Sequence, residues 1–368
     1  MNQFGGLLIR LDALQERLDA RKKAADGQME LFNNKGEPCG DGWIARDKTC
    51  HKSSFEAVMA LTAIEPTFKK KVRELEATAD GVLGKYKKQI DEYYKTLADL
   101  EVAHTKATDD VLSADGPSKR LKAKKRLRDV ADQVRDNEYK LIGVMENIMN
   151  DMKKTKLSER DLMVLPQTIN FSDWGAATGG PKGQVKEFAR MFNGRGLSPY
   201  NGVQGVHKIS PQAQGNRAYN NLGHVVTTKG AETIMFHELM HSVEHQRPWM
   251  AQYAKDWAAG KAVDESSEQM PEALRGSSIG NAKGKPLYQL AAITGDTSYR
   301  AEEVAWADDY LNPYMGKNYS KPPTMPASTE VWTIAAEHFT HPMLMAKFYK
   351  KHPDLFKVMV GLSQTTDD

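Results

Sequence analysis

At 368 residues the chain exceeds what one hydrophobic core ordinarily serves, which predicts at least two domains. Hydrophobic residues (40%), charged residues (27%) and a mean hydropathy of −0.60 describe a folded, rather polar chain and exclude an intrinsically disordered one. Lysine and arginine number 51 against 48 acidic residues, and that balance supplies no general attraction to nucleic acid or anionic membrane; two cysteines exclude a disulfide scaffold.

The first element, within Met1 to Lys23, is amphipathic and carries both charge signs. It lacks the basic-then-apolar order of a secretory signal, and no apolar run is long enough to span a bilayer. Synthesis in the cytoplasm without a signal peptide is the expectation. Residues 1–54 are then an N-terminal amphipathic helix followed by a cysteine-containing segment. In that segment Cys39 and Cys50, with His51 beside the second, allow three readings: a Gly-rich structural turn, a disulfide formed after release, or three metal ligands lacking the fourth that a closed zinc site needs. The run Cys39-Gly-Asp-Gly-Trp43-Ile44, ending at Cys50, resembles a short Cys-Gly-x-x-aromatic-Ile…Cys motif of phage and prophage proteins.

From Phe68 the apolar positions run Val72, Leu75, Ala79, Val82, Tyr86, Ile90, Tyr93, Leu97 and Leu100, alternating steps of three and four between charged residues. Ser113 to Ser118 breaks the pattern with turn residues, and a second seam follows through Leu127, Val130, Val134, Leu141, Val144, Ile148 and Met152. Residues 55–155 are thus predicted to form a long, coiled-coil-like helical hairpin, with Gly81 and Gly84 placed to bend its first helix. Its pattern suggests a spacer or assembly arm without chemistry of its own.

Residues 160–368 change texture, and the fold class predicted for the whole is α+β. Gly179-Gly-Pro-Lys-Gly183 lacks the spacing of a phosphate loop and reads as an ordinary loop. Leu222 to Thr228 reads as a strand and Lys229-Gly230 as a turn into a helix carrying His237-Glu238-Leu-Met-His241. Two histidines four apart project from one helical face and can share a cation, while Glu238 between them can reach a water on that cation and take its proton. His241-Ser-Val-Glu244-His245 offers an overlapping inverted frame. The first frame is preferred because His237 follows soon after the turn, leaving Glu244 and His245 as supporting or surface residues.

This strand-then-ligand-helix order resembles that of the zinc peptidases. The succession from that helix through Tyr314-Met-Gly-Lys-Asn-Tyr319 to Glu330-Val-Trp-Thr333 is similar to a zincin-like domain of the glutamate-ligand type, carried by phage and prophage structural or effector proteins. The resemblance covers about residues 205–365. It implies a zincin-like fold, Zn²⁺ as cofactor and a protein or peptide substrate. It also implies Glu330 as the third metal ligand beside His237 and His241. Glu337, two helical turns further, is the alternative, or a support that accepts the second N–H of a ligand histidine; His338 and His341 stand behind it. Tyr319, with Tyr314 next, is implied as donor to the tetrahedral oxyanion. The functional expectation is a phage- or prophage-encoded metallopeptidase with Glu238 as general base. The alternative is a virion or assembly protein whose hairpin contacts other virion proteins, its metal site being structural or vestigial; a third is an effector delivered into a target cell.

Overall fold

The two heptad-like seams become the facing surfaces of a long antiparallel helix pair. The computed structural model describes residues 37–39, 42–44 and 54–365, except 155–156, 201, 214–217, 229–230, 263–269, 271, 283–284, 296–298, 301–302, 308–309 and 319–329. Side chains are described from Phe68 on, those of Glu159, Pro313 and Asn318 excepted. The chain forms two compact units, Met1–Thr67 and Phe68–Asp368. In the first, strands β1 (Glu37–Cys39) and β2 (Gly42–Ile44) pair antiparallel with Cys39 opposite Gly42. Cys50 and His51 lie outside the described residues, as does the expected N-terminal helix.

Helix α1 (Ser54–Leu83) runs into a single 3₁₀ turn at Gly84–Tyr86 and continues as α2 (Lys87–Ser113). The interruption falls at Gly84, where the missing side chain weakens helical preference. Gly116 (φ +86°) reverses the chain, and Pro117 opens α3 (Pro117–Met152), whose first turn tolerates a residue without an N–H. The predicted seam positions are buried or half-buried throughout. Asn137 adds a polar pin: it is buried, and its Nδ2 donates to the Tyr93 carbonyl at 3.1 Å across the pair. At the hairpin's root, Asp151 accepts from Lys85 at 3.1 Å and from Tyr86 at 2.9 Å.

The C-terminal half of α3 does more than face α2. Leu141, Met145, Ile148, Met149 and Met152 enter one continuous core with Phe188, Phe192, Phe236, Phe339 and Phe356. Around that core pack α4 (Glu159–Val164), α5 (Gly179–Phe192), α6 (Glu232–His245), α7 (Pro248–Lys261), α8 (Leu290–Thr294), α9 (Val331–Glu337), α10 (Pro342–Lys351) and α11 (Pro353–Gln364). The expected loop at Gly179–Gly183 is instead the start of α5, whose buried Pro181 falls within the first turn, where proline fits. Gly361 on α11 crosses α1 so closely that a Cβ would stand 2.0 Å from the Leu75 carbonyl oxygen. Only glycine permits that backbone approach.

Two small sheets accompany the helices, so the chain is mostly helical with an α+β character. In the first, β3 (Lys208–Pro211) pairs parallel with β5 (His224–Thr227), and β4 (Tyr219–Asn221) pairs antiparallel with β5's other edge. The predicted strand is shorter than expected at its start because Leu222 (φ +48°) turns the chain between β4 and β5. In the second sheet β6 (Gly280–Ala282), β7 (Lys285–Gln289), β8 (Val304–Trp306) and β9 (Lys317–Asn318) are all antiparallel neighbours. No helix among the described residues is long and apolar enough to cross a membrane.

Candidate metal centre

The histidine helix α6 follows β5, as the sequence order predicts. From Met235 to His245 every residue except His237 is buried. On a helix enclosed that completely, each polar side chain without a partner is costly. Two contacts seat it. Asn220 on β4 donates through Nδ2 to the Glu238 carbonyl at 2.6 Å and to Ser242 Oγ at 2.7 Å, while its Oδ1 accepts from the Gly223 N–H. On another side Gly196 (φ +77°) comes so near that a Cβ would lie 2.9 Å from the Val243 nitrogen.

His237 and His241 present their rings from one face of the helix, centroids 5.1 Å apart and nearly perpendicular. Glu330 stands at the N-terminal boundary of α9 and is 1% exposed. Its Oε2 lies 3.2 Å from His237 Nε2 and 3.7 Å from His241 Nε2. One ligand atom from each of the three falls within 4.8 Å of the others, and no other group of this kind occurs among the described residues. Tetrahedral ligands at zinc-like bond lengths are separated by about 3.3 Å. The two separations from Glu330 straddle that value, and all three ligand atoms lie within 4.8 Å of one another, so the group could hold a single cation.

Supporting residues hold two of the three. Thr333 Oγ1 lies 3.0 Å from Glu330 Oε2 and 3.1 Å from the Glu330 carbonyl, so its hydroxyl can donate to the carboxylate one turn back. Glu337 Oε1 is 2.7 Å from His237 Nδ1, the ring nitrogen turned away from Glu330. In a neutral ring that contact favours the proton on Nδ1, which leaves the Nε2 lone pair on the side of Glu330. Glu330 and Glu337 therefore both reach His237, one on each ring nitrogen, as their two-turn spacing implies. Burial by itself disfavours a charged His237 ring, but Glu330 and Glu337 outweigh it and bring the pKa up to about 10. With that proton the ring carries a positive charge between the two carboxylates.

Glu238 is 4% exposed, and its Oε2 is buried with no hydrogen-bond partner among the described residues. A buried acceptor without a donor among the described residues is a natural place for water or substrate. Burial lifts its carboxyl above the usual carboxylate range, against the pull of His237 and His241. Such an acid takes and returns a proton near neutrality more readily than an exposed glutamate.

Glu244 and His245 are buried beside the site rather than on the surface. His245 stacks on His241 with centroids 6.2 Å apart, and Glu244 Oε2 is 3.8 Å from His241 Nδ1. Burial, reinforced by His241, pushes the His245 pKa down to about 4, so its ring is neutral at pH 7. His338 contacts the Ile334 carbonyl at 2.8 Å and His341 accepts from the Met343 N–H; neither belongs to the cluster. Tyr319 lies outside the described residues. The Tyr314 hydroxyl accepts from Lys317 at 2.9 Å, and its ring stacks on Tyr299. The residues that the sequence reading missed are Asn220, Gly196 and the supporting role of Thr333. For Thr333 the Glu-x-x-Thr spacing was a usable signal; for the other two the contacts are long-range and nothing local announces them. No family model, curated protein or solved structure matches the chain.

Proposed function

We propose that the chain is a zinc-dependent peptidase of zincin-like architecture, with His237, His241 and Glu330 as the metal ligands. The observation that carries this reading is the convergence of those three ligand atoms beside Glu238, whose Oε2 is buried without a hydrogen-bond partner among the described residues. Two histidines and one carboxylate form a common set for a catalytic zinc, leaving a position open. Bound there, zinc supplies Lewis acidity that lowers the pKa of a water towards about 7 and polarises a carbonyl. Glu238 then accepts the proton of the attacking water and delivers it to the departing amine. Thr333 keeps the Glu330 carboxylate in place, and Glu337 keeps the His237 ring turned so that Nε2 faces the site. Tyr319 remains the proposed oxyanion donor on the resemblance alone.

The test is elemental analysis of protein purified without chelator or metal-affinity resin, with turnover of an unstructured protein substrate. The wild type should carry one zinc per chain, and Glu330→Ala should lose it. Glu238→Gln should keep the metal and lose turnover by about 10²-fold or more. Proteolysis that persists in Glu238→Gln would refute the mechanism, and a metal-free wild type would refute the site.

A second reading, a phage virion or assembly protein, is favoured by the outer half of the hairpin. Among residues 101–136 only Ala107 and Ala123 are buried, and that stretch adds nothing to the main core. Copurification with virions at fixed stoichiometry, with no activity lost in Glu238→Gln, would select it.

A further inference from the structure

The balanced charge of the chain hides one concentrated region. Residues 109–129, around the tip of the helical hairpin, hold seven cations against four carboxylates. That excess equals the +3 of the whole chain, so everything else is neutral. All seven cations (Lys119, Arg120, Lys122, Lys124, Lys125, Arg126 and Arg128) lie in the first three turns of α3, and all are exposed. Only Arg126 has an ion-pair partner among the described residues, Asp110 at 3.2 Å. A stabilising surface network would pair such charges; six unpaired ones repel each other, which favours an external anion.

Their arrangement says which anion. At about 100° per residue, Arg120, Lys124 and Arg128 form a row along one flank of the helix. Lys119, Lys122 and Arg126 form a row along the opposite flank. Lys125 lies between the rows, opposite the buried Ala123. A flat anionic bilayer meets one side of a helix and rewards an apolar face. Here the exposed surface over 118–128 offers a single apolar side chain, Leu121, and cations on both sides. Two rows suit a ligand with two walls of negative charge. A helix is about 10–12 Å across, and the major groove of B-form DNA is about 12 Å wide between two phosphate backbones. The major groove of duplex RNA is too narrow to admit a helix. The tip is also accessible: from Asn137, the last buried seam residue before the core, to Pro117 the helix extends about 30 Å.

We propose that the hairpin tip is a sequence-independent binding surface for double-stranded DNA, with the first three turns of α3 seated in the major groove. Lys122, Lys124, Lys125 and Arg128 contact phosphates on the two strands. The surface is independent of the metal centre, and none of its residues belongs to that site.

The experiment is fluorescence anisotropy of the full chain with labelled DNA duplexes of two unrelated sequences over a salt series, with duplex RNA and phosphatidylserine vesicles as further arms. Both DNA duplexes should bind equally well. The log–log salt slope should be about −4 or steeper, since four or more phosphates are neutralised. The combined Lys122→Gln, Lys124→Gln, Lys125→Gln, Arg128→Gln variant should bind at least about 100-fold more weakly near 0.1 M salt. Unchanged thermal unfolding and metal content would show that the variant is folded. A milder Lys125→Gln, Arg128→Gln variant should flatten the slope by about 2 and serves if the first is unstable. Absence of binding to duplex DNA at about 50 mM salt would overturn the proposal. So would full affinity in either folded variant, tighter binding to duplex RNA, or binding to vesicles without binding to DNA.

Discussion

Thr333 shows how much one hydroxyl contributes to the proposed site. Its contact with Glu330 Oε2 at 3.0 Å helps to hold the carboxylate that faces two histidine nitrogens. Thr333→Val keeps the shape and removes the donor. Zinc affinity, measured by chelator competition, should fall by about 10- to 100-fold, as supporting residues of metal ligands typically cost. Glu337→Gln should have an effect of similar size, because an amide accepts from His237 Nδ1 more weakly than a carboxylate does. Equal affinity in both variants would mean that the contacts are incidental. Asn220 is a different case: it touches no ligand, and its deletion acts through the helix backbone that carries Glu238.

At the scale of elements, two places control how the helices meet. Gly361→Ala would force α1 and α11 apart where a Cβ has no room beside the Leu75 carbonyl. The expected cost is about 2 kcal/mol or more, read by denaturant unfolding. The second place is the hairpin root, where hydrogen bonds from Lys154, Lys85 and Tyr86 hold the Asp151 carboxyl down to about 2 from an ordinary 3.8. The folded pKa is below the unfolded one. The contribution to stability is therefore complete above about pH 4 and is lost as pH falls towards 2. Asp151→Asn should lower the unfolding midpoint at pH 7, with a penalty that shrinks as pH falls through about 2. A penalty that does not change with pH would assign the effect to packing instead.

For the molecule as a whole, the shared core has a consequence for cooperativity. Ile148 on α3 is fully buried in the same cluster as Phe236 on the histidine helix. Ile148→Ala should cost about 2–5 kcal/mol, and hairpin unfolding and zinc release should shift together in one thermal transition. Two separated transitions would show the hairpin to be an independent arm. Chelation should lower the same midpoint, since an ion that binds only the folded chain stabilises it by mass action.

Local patterns made much of this legible. The seams of the hairpin are periodic, and periodicity is written in consecutive residues, so Phe68 through Met152 read correctly as facing helices. The His237–His241 pair and the two-turn spacing from Glu330 to Glu337 were readable for the same reason, since the helix itself sets which side chains share a face. Other features depended on chain segments far apart in sequence. That Glu330 meets α6, that Asn220 braces it, and that Gly196 and Gly361 sit against other backbones are contacts across roughly 20 to 290 residues, with no local period to mark them. Whole-chain charge is blind in a related way, because a sum over all residues cannot register seven cations gathered on one hairpin tip. The sequence by itself determined the residue types of the candidate site, their spacing and the helical arm. Only the tertiary structure brings Glu330 together with both histidines, because convergence to within a few ångströms comes from packing between segments far apart in the chain.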